Sequence, residues 1–169
     1  MAERAMVYEP DSILRKKADP VSDFGDEFQQ LVDDMFETMY ANKGCGLAAP
    51  QIGIGLQVSV IDLGEEPANP FVIVNPEIIE RTGIHNMEAG CLSVPGAFAA
   101  VERSATVRVK AQDRFGKPFE IGGDGLLAEC LQHEIDHLNG VLFIDHLQPV
   151  KKQMVQNKSR KFRRKNKLG

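Results

Sequence analysis

The sequence predicts an α+β fold, with small mixed or antiparallel sheets packed around a central helix and a further helix near each end of the chain. Two segments repeat apolar residues at helical spacing. Four short β-branched segments lie between them, bounded by Gly, Pro or Asp. Helices and strands do not alternate strictly, which argues against a doubly wound sheet. The length of 169 residues and an apolar content of 43% suit one domain with a real core.

The elements follow in order. EFQQLVDDMFETMYAN carries Phe28, Leu31, Val32, Met35, Phe36 and Met39, the stripe of a helix with one buried face. KGCGLAAPQIGIG is rich in glycine and reads as a loop. LQVSVIDL, FVIVNPEII, ATVRVKAQD and KPFEIGG read as strands, whereas NMEAGCLSVPG (86–96) reads as a bent loop. DGLLAECLQHEIDHLNG is the central helix, with Asp124 as its cap and Gly140 as its stop. The last segment forms a helix with a weak apolar stripe of Val150, Met154 and Val155.

Composition excludes several classes. No apolar run approaches 20 residues, so no membrane span is expected. The N-terminus lacks the pattern of a signal peptide. Three widely spaced cysteines make no disulfide framework, so a cytoplasmic chain with single-thiol roles is expected. Charge is uneven: nine of the 20 Lys and Arg fall in residues 150–169, where there is no acid. The boundary is set there, with a domain at 1–149 and a basic extension at 150–169. The extension is either a solvated end or an arm seeking phosphate.

The central helix carries HEIDH. Four residues turn about 400°, so His133 and His137 share one face and can hold one divalent ion. Glu134 is placed to work on water beside that ion. The central helix is therefore read as a metal-binding helix. A third ligand must come from elsewhere. Cys130 lies about 10 Å along the axis from His137 and is too far, so it reads as a small apolar pocket residue. His85 and His146 are weaker candidates. Cys91 and Cys45, both in small-residue loops, stand level on spacing alone.

Three segments then point to a family. GCGLAAPQ (44–51), GCLS (90–93) and QHEIDHL (132–138) resemble, in order and spacing, the signature segments of peptide deformylase. The likeness runs over nearly the whole chain, and the basic extension looks like that of the bacterial form with a C-terminal helix. The resemblance implies a metal-dependent hydrolase that removes the N-formyl group from formylmethionyl nascent peptides. It implies Cys91, His133 and His137 as ligands, with water in a fourth position. It implies Fe(II), with Zn(II) or Ni(II) able to substitute. Thiolate ligation of Fe(II) leads us to expect activity that decays in air. Glu134 is implied as general base and then acid. The Gln51 amide and the Leu92 N–H are implied as oxyanion donors, and Gly46 as a backbone partner of an extended peptide. The methionine slot is implied to use Cys45, Met87, Leu126, Cys130 and the His133 ring. The basic extension is implied to contact ribosomal RNA.

Two departures from the family pattern stand out. An acid commonly precedes Gly-Cys in the second segment, where this chain has Ala89. Glu88, one place earlier, should face the other way. The acid's usual arginine partner, here Arg103, would lack its counter-charge. Glu129, four before His133, could supply it, although the preferred reading leaves Glu129 in solvent. Phe98 stands where some bacterial members carry a basic residue near the substrate's far end. Two rivals remain: a metallopeptidase on the same helix, and a catalytically weakened ribosome-binding paralogue.

Overall fold

The computed structural model describes residues 2–169. Its elements are α1 (Asp26–Ala41), β1 (Gly46–Ala48), β2 (Val58–Ile61), β3 (Phe71–Thr82), β4 (His85–Cys91), β5 (Val94–Arg103), β6 (Thr106–Gln112), β7 (Pro118–Asp124), α2 (Gly125–Leu138) and α3 (Pro149–Lys165). Short 3-10 helices lie at Ser12–Arg15, Ala49–Ile52 and Phe143–His146. The α+β expectation is met.

Five strands form an antiparallel sheet in the order β1-β2-β3-β6-β7, and β4 and β5 form a separate hairpin. The large sheet is covered on both faces. Phe28, Leu31, Val32, Met35 and Met39 of α1 pack on Val58, Val60, Val72 and Val74. Ala128, Leu131 and Ile135 of α2 pack on Ile61, Ile73, Val107 and Val109 from the opposite side. This explains why VSVI is buried at all four positions: β2 lies inside the sheet with helices above and below.

The hairpin forms a third layer. Ala89, Val94, Ala97, Ala99 and Val101 bury one face against Leu14, Leu142, Phe143, Ile144 and Val155. Thus α2 offers its 128–131–135 face to the large sheet, and its remaining face turns toward the hairpin. His133 and His137 lie on that second face, four residues apart.

Several local expectations need correction. Residues 86–96 are not one bent loop: β4 runs to Cys91, Leu92 and Ser93 make the turn, and β5 begins at Val94. The segment's glycines, alanines and proline have low strand propensity, and burial against Leu14, residues 142–144 and α3 outweighs it. Within GCGLAAPQ, Gly46–Ala48 pair with β2 as a short edge strand. Asp124 stands at the N-cap of α2, but its side chain makes no capping bond. Gly140 does end the helix region, at φ +78°, where a Cβ would strike the Arg15 carbonyl.

The stripe of α3 also differs. Val150 is 76% and Met154 60% exposed, whereas Val155 and Ser159 are buried. The helix docks through 155, 159 and 162 (one turn apart each time), with the Phe162 ring occupying the space a Cβ at Gly96 would need. Arg160 and Gln156 reach the buried Glu9 carboxylate at 2.9 and 3.2 Å. No helix among the described residues is long and apolar enough to cross a membrane.

Candidate active site

The turn of the hairpin brings Cys91 over the free face of α2. Cys91 Sγ lies 3.3 Å from His137 Nε2, which lies 3.2 Å from His133 Nε2. All three ligand atoms fall within 4.8 Å of one another. An ion bound by nitrogen at about 2.1 Å and sulfur at about 2.3 Å in a tetrahedral site has ligand–ligand edges of about 3.4–3.6 Å. The two edges that meet at His137 match that requirement to within a few tenths of an ångström, and the Cys91–His133 edge is no longer than 4.8 Å.

The chemistry of the donors fits as well. Burial lowers His137 to about 4, and burial together with its neighbour His137 holds His133 well below 6.5. Both rings are therefore neutral at pH 7, as ligands must be. Burial pushes the Cys91 thiol up to about 12, with Glu134 adding to the rise and backbone donors opposing it. A thiol in that state needs a cation to become a thiolate, and a divalent ion reverses the local preference.

Of the rival third ligands, Cys45 turns toward Cys130, at 3.6 Å between sulfurs. His85 Nε2 faces Glu129 Oε2 at 3.6 Å, and His146 Nε2 meets Asp136 Oδ2 at 2.8 Å. Geometry thus separates Cys91 from Cys45, which spacing could not do.

Glu134 is buried beside this cluster. Its Oε1 is 3.2 Å from Ser59 Oγ, which also lies 2.8 Å from the Leu47 carbonyl. Its Oε2 occupies the place of a Cβ at Gly46, so Gly46 is required for the carboxylate to sit there. Burial pushes Glu134 up to about 8; the nearby Cys45 adds to this, and Ser59 opposes it.

Gln51 is buried in the 3-10 helix Ala49–Ile52. Its Oε1 accepts from the Ala48 N–H at 3.0 Å. That bond orients the amide, so Nε2 points to Cys91 Sγ at 3.5 Å and Ser93 Oγ at 3.2 Å. Leu92 follows Cys91 at the turn.

These groups lie along a cleft of about 400 Å³. One wall is Gly44, Cys45 and Gly46, ending at the free edge of β1; the other is Gly96, Ala97 and Phe98 of β5. Leu126, Cys130, His133 and Glu134 line it from α2. Leu126 is 46% exposed at this wall rather than in the core. Met87 is not among the lining residues. It is half-buried on β4, where strand alternation sets it with His85 and Ala89, and the nearby wall is made by Glu88, Ala89 and Gly90.

The solvent reading of Glu129 is overturned. Glu129 is 6% exposed, and its Oε1 accepts from Arg103 Nε at 3.0 Å. Arg103 also donates to Asp136 at 2.8 Å. Glu88 is exposed opposite Ala100, facing away from buried Ala89. The carboxylate missing from β4 is thus supplied by the central helix.

Comparison with known proteins decides the family. The polypeptide deformylase family model matches residues 3–153. The chain belongs to the polypeptide deformylase family. A peptide deformylase structure from Legionella pneumophila is 56% identical, with 98% of each chain covered and a TM-score of 0.95. One from Synechococcus elongatus, in complex with actinonin, is 42% identical over 95% of this chain and 88% of that chain, with a TM-score of 0.88. One from Ehrlichia chaffeensis, also with actinonin, is 38% identical over 97% and 99%, with a TM-score of 0.92. The chain is accordingly a hydrolase of protein biosynthesis that removes the N-formyl group of nascent peptides, and its family is metal-dependent.

Sequence reasoning missed Ser59 and Ser93. Ser59 left a signal, as the lone hydroxyl inside the apolar run VSVI. Ser93 left none apart from its place in the second motif.

Proposed function

We propose that Cys91, His133 and His137 hold one divalent cation beneath the cleft, and that Glu134, Gln51 and Leu92 act on a formyl group placed there. The observation that carries this is the convergence of one sulfur and two imidazole nitrogens beside a buried carboxylate. Bound there, the cation supplies Lewis acidity and lowers the pKa of water toward about 7. Fe(II) suits a site with one soft thiolate and two imidazoles, and Zn(II) or Ni(II) suit it too.

Glu134 takes the proton of the attacking water and returns it to the departing amine. A carboxylate raised toward neutrality suits both halves of that task. Ser59 is its positioning partner. The hydroxyl has one proton, so it serves either the Leu47 carbonyl or Glu134. It gives that proton to Glu134 when the acid is ionised. It turns to Leu47 and accepts from Glu134 when the acid is protonated. The acid thus keeps a hydrogen bond through both protonation states.

The Gln51 Nε2 and the Leu92 N–H meet charge developing on the formyl oxygen. Gln51 is pre-set for this by its Ala48 bond, which costs no reorganisation during the reaction. The peptide adds as a strand to the free edge of β1, with Gly46 as its backbone partner. This mode gives affinity with little demand on sequence. The first side chain enters the slot among Cys45, Leu126, Cys130 and the His133 ring.

Residues 150–169 are assigned to ribosomal RNA and the enzyme to the cytoplasm. In support, α3 spends few residues on docking and presents most of its basic side chains outward. Ribosome binding should weaken steeply as salt rises and vanish without residues 150–169.

The test is an anaerobic deformylation rate and a metal assay on the same sample. Glu134→Ala should retain the metal and lose about 10²–10⁴ in kcat. A wild-type rate in that variant would refute the base assignment.

A further inference from the structure

The cleft contains two thiols that the proposed chemistry leaves unused. Cys45 Sγ and Cys130 Sγ lie 3.6 Å apart although 85 residues separate them in the chain. Cys45 is exposed on the loop entering β1, while Cys130 is 5% exposed on α2. Both line the cleft beside Leu126. A disulfide needs the sulfurs at about 2.05 Å, so they must approach by about 1.5 Å. The backbone on either side of Cys45 is held by the Gly44 N–H bond to the Met39 carbonyl and the Asp62 N–H bond to the Cys45 carbonyl, so the approach falls to rotation of the exposed Cys45 side chain toward Cys130, which is fixed in a helix.

We propose that Cys45 and Cys130 are a reversible oxidation site, which a peroxide converts to a disulfide that closes the side-chain slot of the cleft. Closure of the slot rests on the reading above, in which that slot takes the first side chain of the peptide.

The two thiols differ in the way such a pair requires. The hydrogen bond from Cys130 lowers the Cys45 thiol to about 7, against the effect of burial. The same bond, with burial and nearby acids, drives Cys130 upward. Exposed Cys45 is therefore the attacking group, and sheltered Cys130 resolves. The Cys45 thiolate breaks the peroxide O–O bond and takes one oxygen, releasing hydroxide that leaves as water. Cys130 sulfur then attacks Cys45 sulfur, breaking the new S–O bond, and its own proton leaves with the second water. Two thiols and one peroxide thus give one disulfide and two waters. A thiol reductant reverses the step by exchange.

The disulfide ties the loop before β1 to α2 across the slot. A long first side chain then loses its place, while a small one is less affected. Closure should therefore appear as a change in substrate selectivity, which loss of the metal or oxidation of Cys91 would not produce.

The experiment uses the full-length zinc-loaded enzyme treated with hydrogen peroxide and then alkylated. Intact mass should show loss of two hydrogens, and peptide mapping should show Cys45 joined to Cys130. The kcat/KM for formyl-Met-Ala-Ser should fall about tenfold or more, with a smaller fall for formyl-Ala-Ala-Ser. Dithiothreitol should restore both. Cys45→Ser and Cys130→Ser, each compared with its own untreated form, should show no reversible loss. Oxygen addition without the cross-linked peptide would overturn the thiol pair. A cross-link with unchanged or equally reduced rates on both peptides would overturn closure of the slot. If the untreated enzyme showed no preference for formyl-Met over formyl-Ala, the cleft reading itself would fall, whatever the cross-link result.

Discussion

Replacing Glu129 by alanine should destabilise the enzyme strongly, although its carboxylate is bonded to Arg103 and not to a proposed ligand or base. Arg103 and Glu129 have side chains 3% and 7% exposed, and their bond is 3.0 Å long. Removing one member of a buried pair leaves the other charge uncompensated, at a cost of about 3–5 kcal/mol. Here Arg103 keeps its 2.8 Å bond to Asp136, which is 26% exposed and so compensates only in part. The expected loss is therefore about 2–3 kcal/mol, at or below the lower end of that range. For a chain of this length it lowers Tm by roughly 4–12 °C. Glu129→Gln should lose less, because it keeps an acceptor for Arg103 Nε. The assay is urea unfolding of zinc-loaded wild type, Glu129→Ala, Arg103→Met and the double variant. A coupling energy of about 1 kcal/mol or more is expected for residues in contact. Zero coupling, or a Glu129→Ala loss below about 0.5 kcal/mol, would refute the compensation across elements.

Gln51→Glu should keep the bond to the Ala48 N–H but lose the donor, so kcat should fall about 10²–10³ with KM little changed; near-normal kcat would remove Gln51 from the oxyanion site. Burial opposes charge on Asp34, but bonds from Gln30, the Ala2 N–H and Arg4 outweigh it and hold its carboxyl below 3.8. A depressed folded pKa gives stability that is present above the unfolded value and is lost as pH falls through the folded one. Unfolding free energy should thus drop from about pH 5 downward, and Asp34→Asn should flatten that drop; equal slopes would contradict the assignment. Phe98 is 62% exposed at the cleft wall and carries no charge. The kcat/KM values for formyl-Met-Ala and its C-terminal amide should agree within about threefold, and Phe98→Lys should favour the free carboxylate. A strong preference for the free acid in wild type would count against this role.

The sequence by itself determined the parts whose signals are local. The stripe of α1 and the His133–His137 pair follow from the 3.6-residue repeat, which needs no partner to be read. VSVI and TVRVKA follow from β-branched runs, and the three motif segments by themselves point to the chemistry. Tertiary structure decided what depends on residues far apart in the chain. Spacing left Cys91 and Cys45 level, and only the family resemblance preferred Cys91; the hairpin carries that sulfur to His137 and leaves the other beside Cys130. The hairpin was hidden because its Gly- and Ala-rich strands are held by burial rather than propensity. In α3 only Val155 of the apparent stripe is buried, and the docking face runs on through Ser159 to Phe162 at Gly96 while Val150 and Met154 stay exposed. Ala89 shows the division most clearly. The sequence recorded a missing acid on one element; only packing brought Glu129 of α2 to Arg103, because a buried charge can be neutralised by any carboxylate the fold places within reach.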